Sequence, residues 1–332
     1  MKRFFKIYLT VALLMAFLLT GCTSTGPQEA DFFAMDTLMS VKLWGGEASA
    51  SDVSAEINRL EALLSVTRET SVLSQLNAAG SAELSADTTF LLTQALALSE
   101  RTDGAFDPTV YPLVEAWGFP SKEYRVPNRT ELDSLLSCVG TEHVHFDGSA
   151  VTLDAGTRLD LGGIAKGYAA QCCADLLREK GVEAAILTLG GNVQTVGSKP
   201  DGSAWVVGIA DPSDPSQAIA VRTFEGSMAL VTSGTYQRYF EENGVVYHHI
   251  LDPQTGLPAD SGLSSVTVLA DDGTLADGLS TALFVMGLEE GTRFWRESND
   301  FEAVFLTSEG RILATEGAAP FLGGCDYSVI ER

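Results

Sequence analysis

The stretch LADGLSTALFVMG, residues 275–287, constrains the fold most, because it sets an acid into a mostly apolar helical pattern. Asp277 and Thr281 lie four residues apart, so on a helix both project from one face, one turn apart. A helix that is apolar nearly all round is usually buried, and a buried carboxylate needs a cation or several hydrogen-bond donors. No Lys or Arg occurs between Arg238 and Arg293. The local sequence therefore leaves open what neutralises Asp277. Apolar side chains occupy six other positions of this helix: Leu279, Ala282, Leu283, Phe284, Val285 and Met286.

Helical and strand-like patterns follow one another without a regular β-α alternation. We expect a strand over residues 32–45, strands within 144–160, a buried strand over 184–189, and short strands between Trp205 and Val268. Helices are predicted over 51–64, capped by Ser51 or Asp52, and over 88–101 and 164–180. Another helix contains residues 275–287, and a further helix over 288–298 precedes two closing strands. This mixture predicts an α+β fold, with mixed or antiparallel sheets packed against helices.

Charge restricts the partners of the chain. Its 332 residues carry a formal net charge of −23, which argues against nucleic acid as a partner, because phosphate binding requires a basic face. An anionic substrate would need a local cation to offset this field.

The N-terminus supplies a link to the membrane. Lys2, Arg3 and Lys6 precede an apolar run from Ile7 to Leu19, which is too short to span a bilayer comfortably and is typical of a signal peptide. The run ends in LTGC, which resembles a bacterial lipobox, so we predict a signal peptide over 1–21 and a lipid on Cys22. The alternative is an ordinary signal peptide with a chance cysteine. Residues 22–31 are then expected to form a tether, and 32–332 the folded domain.

The remaining cysteines and two histidines give no metal or redox motif. Cys138, Cys172, Cys173 and Cys325 show no C-x-x-C spacing, and we interpret them as packing residues. His143 and His145 share a strand face without an evident third ligand, so we predict no zinc site.

Two stretches combine turn glycines or aromatics with chemically useful groups. DLGGIAKGYAA, residues 160–170, places Gly162 and Gly163 before a helix, where backbone N–H groups and the helix dipole can hold a phosphate. Lys166 would lie in the first turn of that helix, where a cation is mildly disfavoured unless an anion is nearby. GAFDPTVYPLVEAWGF, residues 104–119, could line a pocket for a planar ligand. The alternative for residues 160–170 is a plain strand–helix turn. The alternative for residues 104–119 is a satellite hydrophobic cluster.

Three further stretches are individually weak signals. YHHILDPQTG, residues 247–256, places His248 and His249 side by side, so on a strand at most one can reach a given site. A buried, hydrogen-bonded histidine is the alternative. LTLGGNVQTVG, residues 187–197, and VTSGTYQRY, residues 231–239, each join a strand pattern to small residues that permit a close backbone approach.

Taken together and in this order, these pieces resemble the ApbE family of FAD:protein FMN transferases. The matching pieces also include AMDT at 34–37, SVLSQLN at 71–77 and HHILDPQTG at 248–256. The resemblance implies an exported lipoprotein that binds FAD and Mg²⁺ and transfers FMN to a threonine hydroxyl of a target flavoprotein, releasing AMP. Some relatives instead hydrolyse FAD to FMN and AMP.

By the same resemblance, the side chains of Asp277 and Thr281 and the backbone carbonyl of Gly163 are the Mg²⁺ ligands. Mg²⁺ would then be the cation that neutralises Asp277, which fits its preference for hard oxygen ligands. The alternative is that Asp277 is a helix cap and that Thr281 bonds back to an earlier carbonyl.

The resemblance also implies positions that contact the flavin nucleotide. The FAD-binding residues are Met35, Ala105, Phe106 and Asp107, together with Lys166 and His249. His249 is expected to act as general base toward the acceptor threonine, and Lys166 and Asp277 to complete the catalytic set.

Two positions depart from the family pattern. Asp36 stands where glycine is usual, and Thr67 where an aromatic is frequent, so we expect altered affinity for FAD.

The leading interpretation is a flavin transferase, lipid-anchored on the extracytoplasmic side of the cell membrane. The alternatives are an FAD pyrophosphatase, with water as the nucleophile, and a non-catalytic FAD-binding lipoprotein.

Overall fold

A computed structural model describes residues 26–320 and 322–332. Its strands are β1 Gln28–Ala34, β2 Thr37–Trp44, β3 Ser81–Glu83, β4 Val144–Phe146, β5 Ala150–Leu153, β6 Ala184–Leu189, β7 Asn192–Val196, β8 Trp205–Asp211, β9 Asp214–Phe224, β10 Ala229–Gly234, β11 Tyr239–Glu242, β12 Val245–His248, β13 Leu263–Ala270, β14 Glu302–Thr307, β15 Ile312–Thr315, β16 Leu322–Gly323 and β17 Ser328–Ile330. Its α-helices are α1 Ala50–Leu64, α2 Val72–Ala79, α3 Ala86–Arg101, α4 Tyr111–Ala116, α5 Arg129–Leu136, α6 Gly162–Glu179 and α7 Gly273–Glu297.

A nine-stranded sheet in the order β1-β2-β6-β7-β10-β13-β14-β15-β17 forms the centre of the fold. Its pairs are antiparallel except for β15 with β17. Successive side chains of a strand point to opposite faces, and Leu230 and Val231 of β10 accordingly belong to two different hydrophobic clusters. One cluster packs α1, α6 and α7 against the sheet, and the other packs β8, β9 and β16 against the opposite face. The predicted α+β class is confirmed.

Glycines allow α6 and α7 to cross closely behind this sheet. A Cβ atom on Gly167 would lie 2.1 Å from the carbonyl oxygen of Gly273 and 2.6 Å from Cβ of Asp277. Only glycine fits at this crossing, which sets Asp277 beside the first turns of α6. Helix α7 is kinked at Gly287, where φ is 76°, so the break predicted between residues 287 and 288 is present.

Several predicted boundaries are wrong. The strand expected over 32–45 is a hairpin, because Met35 and Asp36 adopt φ values of 47° and 58° in a two-residue turn between β1 and β2. The cap of α1 is Ser49, whose backbone N–H donates 2.8 Å to the Asp52 carboxylate. Helix α6 begins at Gly162 and follows no strand directly, so Lys166 lies in its second turn rather than its first.

Of the predicted N-terminal features, only the last overlaps the residues that the structure describes. The signal peptide over 1–21 and the lipidated Cys22 lie outside the described residues, and the expected tether, residues 22–31, overlaps β1. Among the residues described, no helix is both long and apolar enough to cross a bilayer. The four described cysteines are free thiols, and Cys173 is fully buried.

Candidate functional site

A cavity of about 1000 Å³ lies between the β1–β2 turn, the first turns of α6, and the face of α7 that carries Asp277. The loop 105–110, the segment 249–253, residues of β7, β8 and β10, the segment 236–238 and Lys122 also line it. These segments are far apart in the chain, and the central sheet and the α6–α7 crossing bring them together. All nine residues predicted for metal and flavin binding line the cavity: Met35, Ala105, Phe106, Asp107, Gly163, Lys166, His249, Asp277 and Thr281.

Asp277 is a buried carboxylate, with 4% of the residue exposed. Its Oδ2 accepts a 2.7 Å hydrogen bond from the backbone N–H of Gly167. Burial raises the pKa of Asp277, and the charge of Lys166 and the Gly167 N–H only partly oppose this. Asp277 is not a helix cap, because the cap of α7 is Asp272, which accepts 2.7 Å from the Thr274 N–H. That alternative for Asp277 is therefore wrong.

Gly163 and Thr281 face each other across the junction of the two helices. A Cβ atom on Gly163 would lie 3.7 Å from Thr281 Oγ1 and only 3.1 Å from Cε2 of Phe106. In a regular helix the Gly167 N–H bonds to the Gly163 carbonyl, but here this N–H donates to Asp277. The Gly163 carbonyl is consequently not the sole acceptor available to the Gly167 N–H. The Thr281 hydroxyl lies 3.3 Å from Ser233 Oγ, and it is Ser280 whose hydroxyl donates to an earlier carbonyl, that of Asp277.

Among the residues that the structure describes, three cations line the cavity: Lys122, Lys166 and Arg238. Lys122 and Arg238 both contact the carboxylate of Asp36, at 3.1 Å for Lys122 Nζ. In the described part of the chain, no carboxylate lies within 4 Å of Lys166 Nζ. Lys166 is thus the lining cation best able to meet an anionic ligand.

His249 follows directly after β12 and is held by the backbone of Arg238. Its Nδ1 lies 3.1 Å from the Arg238 carbonyl oxygen, and since a carbonyl only accepts, Nδ1 carries the proton and Nε2 keeps its lone pair. Burial, followed by the charges of Arg238 and Lys166, lowers the pKa of His249 to about 3. His248 is buried and packs edge-on against Phe284. As the strand pattern predicts, only one histidine of the pair lines the cavity.

The stretch 104–119, which contains helix α4, lines the cavity and also forms a separate hydrophobic cluster, the two possibilities that the sequence left open. Phe106 is buried in the main core and lines the cavity. Trp117 and Phe119 belong to a separate cluster with Leu113 and Phe240. His143 and His145 contact Asp154 and do not line the cavity.

The comparison with protein families decides the classification. The ApbE family model matches residues 35–305 of the chain. The chain belongs to the ApbE family. This assignment agrees with the resemblance seen in the motifs, nine positions of which line one cavity.

Relatives of this ApbE-family chain are similar over most of their length. An FAD:protein FMN transferase of Klebsiella pneumoniae is 38% identical over 273 residues, 80% of this chain and 84% of that protein. One of Vibrio cholerae is 34% identical over 328 residues, 94% and 98% of the two chains. The crystal structure of the ApbE protein of Thermotoga maritima matches with a TM-score of 0.83 and 35% identity, covering 89% of this chain and 99% of that one.

Sequence reasoning missed several residues of this ApbE-family cavity. Asp160, Asn192, Tyr236 and Arg238 all line it, and each lies within a stretch singled out above. Their positions within those motifs were the only available signal. Asn192 is informative, because its buried amide lies beside Asp277 and lowers the pKa of that carboxyl, although Nδ2 completes no hydrogen bond of normal geometry within the described residues.

Proposed function

We propose that this chain is a Mg²⁺-dependent FAD:protein FMN transferase, which moves FMN from FAD to a threonine hydroxyl of a target flavoprotein and releases AMP. One observation carries the proposal: nine positions taken from the family resemblance, spread from residue 35 to residue 281, line a single cavity. Family membership and the names of the relatives support the same activity.

The oxygen-rich donor set fits Mg²⁺. The Asp277 carboxylate, the Thr281 hydroxyl and the Gly163 carbonyl are hard oxygen donors on two crossing helices, and Mg²⁺ usually adds waters and substrate phosphates to such a set. Burial raises the pKa of Asp277, and Lys166 and the Gly167 N–H compensate its negative charge only in part. A divalent cation would supply the missing charge.

The transfer step can be written with the groups of the cavity. The acceptor threonine oxygen forms a bond to the FMN phosphorus, and the bond from that phosphorus to the bridging oxygen breaks, so that AMP leaves with the bridging oxygen. His249 takes the threonine proton at Nε2, the ring nitrogen left free by the Arg238 carbonyl. The phosphates of a bound dinucleotide would offset the charges of Arg238 and Lys166, which help to hold the pKa of His249 low in the empty cavity, and so would make the ring more basic. Lys166 offsets the charge that develops on the leaving phosphate. Mg²⁺, when bound, neutralises charge on the diphosphate.

A membrane anchor completes the proposal. The lipobox-like LTGC sequence supports a lipid on Cys22, and the short signal-like run supports export. The folded domain would then act at the extracytoplasmic face of the membrane, on flavoprotein acceptors with an accessible threonine.

One incubation tests the activity. Purified protein is mixed with FAD and Mg²⁺, with and without a candidate acceptor flavoprotein, while AMP and the acceptor mass are measured. We expect AMP release that depends on the acceptor, together with one FMN per modified threonine. Equal AMP release without acceptor, and no modified protein, would instead establish an FAD pyrophosphatase. Tight FAD binding without AMP would establish a carrier.

A further inference from the structure

An ion-pair cluster, whose side chains take no part in the proposed transfer step, joins three walls of the cavity. It consists of Asp36 in the β1–β2 turn, Lys122 in the loop between α4 and α5, and Arg238 between β10 and β11. Asp36 Oδ1 accepts a 3.1 Å hydrogen bond from Lys122 Nζ, and Oδ2 accepts one from the Arg238 guanidinium. All three residues line the cavity. We name this cluster the Asp36 latch.

The latch holds two of the three cations that line the cavity. Besides Asp36, the lining carboxylates are Glu61, Asp107, Asp160 and Asp277, so an anionic ligand enters a region already rich in negative charge. While the latch is closed, Lys166 is the lining cation that no carboxylate pairs with in the described structure. A ligand with a diphosphate would gain from Lys122 and Arg238 if Asp36 released them.

The contacts of the latch suit a reversible device. The side chains of Asp36, Lys122 and Arg238 are 41%, 63% and 49% exposed, and ion pairs this exposed to water are weak. A ligand with two phosphate charges can therefore displace the single carboxylate. The latch also adjoins the proposed base, since the backbone carbonyl of Arg238 holds His249. In addition, Phe119, three residues before Lys122, packs edge-on against His249, with 6.3 Å between the ring centroids.

We propose that Asp36 determines affinity by competing with the diphosphate of an anionic dinucleotide for Lys122 and Arg238, so that ligand binding opens the latch. This inference rests on the proposed function for the identity of the ligand. In this proposal Asp36 weakens the binding of the dinucleotide and does not contact the reacting atoms.

Binding measurements on Asp36→Asn test the latch, because asparagine keeps the side-chain size and tolerates the positive φ. The probes are FAD, ADP and riboflavin, each titrated at low salt. We expect Kd for FAD and for ADP to fall at least threefold, and Kd for riboflavin, which has no phosphate, to stay unchanged. The gain should shrink in 0.5 M salt, since screening acts on exposed charges. An unchanged or raised Kd for ADP, or an equal change for riboflavin, would overturn the proposal.

A matched control lies on the same hairpin. Glu29 pairs with Lys42 at the open end of β1–β2, 3.1 Å apart and exposed, and does not line the cavity. Glu29→Gln removes the same charge and should leave all three Kd values unchanged; tightening equal to that of Asp36→Asn would reduce the effect to net charge and overturn the latch.

A double-mutant cycle adds an independent readout. Lys122→Gln should weaken ADP binding more in the Asp36→Asn background than in the wild type, because only there is Lys122 free for the ligand. Equal effects in both backgrounds would contradict the competition. Failure of AMP release from FAD bears on the proposed function alone, whereas the ADP titrations bear on the latch.

Discussion

The carboxylate of Asp277 and the backbone N–H of Gly167 form a 2.7 Å hydrogen bond across the crossing of α6 and α7. The two helices can approach this closely because residue 167 is glycine. Any larger side chain at position 167 would collide with the Gly273 carbonyl. The proposed metal site therefore depends on helix packing as well as on its ligands.

Asp277→Asn should stabilise the metal-free protein while removing its response to Mg²⁺. The folded-state pKa of Asp277 is raised, so the stability that its protonated form contributes is lost as the pH rises through that pKa. Above that pKa the buried charge of the metal-free carboxylate is a cost, and asparagine can still accept from Gly167. We expect a gain of about 1–2 kcal/mol in unfolding free energy in EDTA, no Mg²⁺-induced shift in Tm, and no turnover. Asp271→Asn, at an exposed position, is the control. A large Mg²⁺ shift in Asp277→Asn would contradict the ligand assignment.

Gly167→Ala should destabilise the fold and impair the site together. The added Cβ meets backbone at 2.1 Å, so the helices must separate, at a cost of about 1–3 kcal/mol. Urea unfolding measures this loss, and weaker Mg²⁺ binding should accompany it. At Gly323 an added Cβ meets nothing within 4 Å, so Gly323→Ala should change the unfolding free energy little. Equal stability of the two variants would show that the crossing is looser than described.

His249→Ala should slow FMN transfer while FAD still binds. Loss of a general base reduces the rate of a proton-transfer step about 10²–10⁴-fold, whereas the cavity retains its other contacts with the nucleotide. Single-turnover AMP release and FAD titration separate the two effects. His145→Ala, which changes a histidine away from the cavity, should behave as wild type. An unaltered transfer rate in His249→Ala would exclude it as the base.

Stability should fall in acid because of His249. Its folded-state pKa is lowered to about 3, so between pH 6.5 and about 3 the unfolded chain binds a proton that the native chain does not. The unfolding free energy should then decrease by about 1.4 kcal/mol per pH unit for this group as the pH falls through that window. We expect a shallower decrease in His249→Gln, measured by urea unfolding at several pH values. Parallel curves for the two proteins would contradict the pKa assignment.

Cys22→Ser should release the protein from the membrane. The serine hydroxyl cannot form the thioether that the lipobox resemblance implies, so metabolic labelling with a fatty acid should disappear and the protein should leave the membrane fraction. Cys138→Ser, which changes a thiol of the folded domain, should keep both properties. Persistent labelling of Cys22→Ser would contradict lipidation at this residue.

Periodicity and turn chemistry determined much of this protein from the sequence alone. The buried strand β6, the kink near residue 287 and the α+β class follow from local patterns of apolar residues and glycine. The nine positions around the cavity came instead from motif resemblance, since no local pattern relates Met35 to Thr281.

Only the tertiary structure decided which groups meet. The β1–β2 turn needed two residues with positive φ, and Met35 and Asp36 give no strong turn signal, so the hairpin was not predicted. The ion pairs of Asp36 with Lys122 and Arg238, and the approach of Asp277 to Gly167, join residues 86 or more positions apart. Such contacts depend on sheet order and helix crossing, which are set by packing over the whole domain, whereas a strand or helix pattern depends only on its own neighbours.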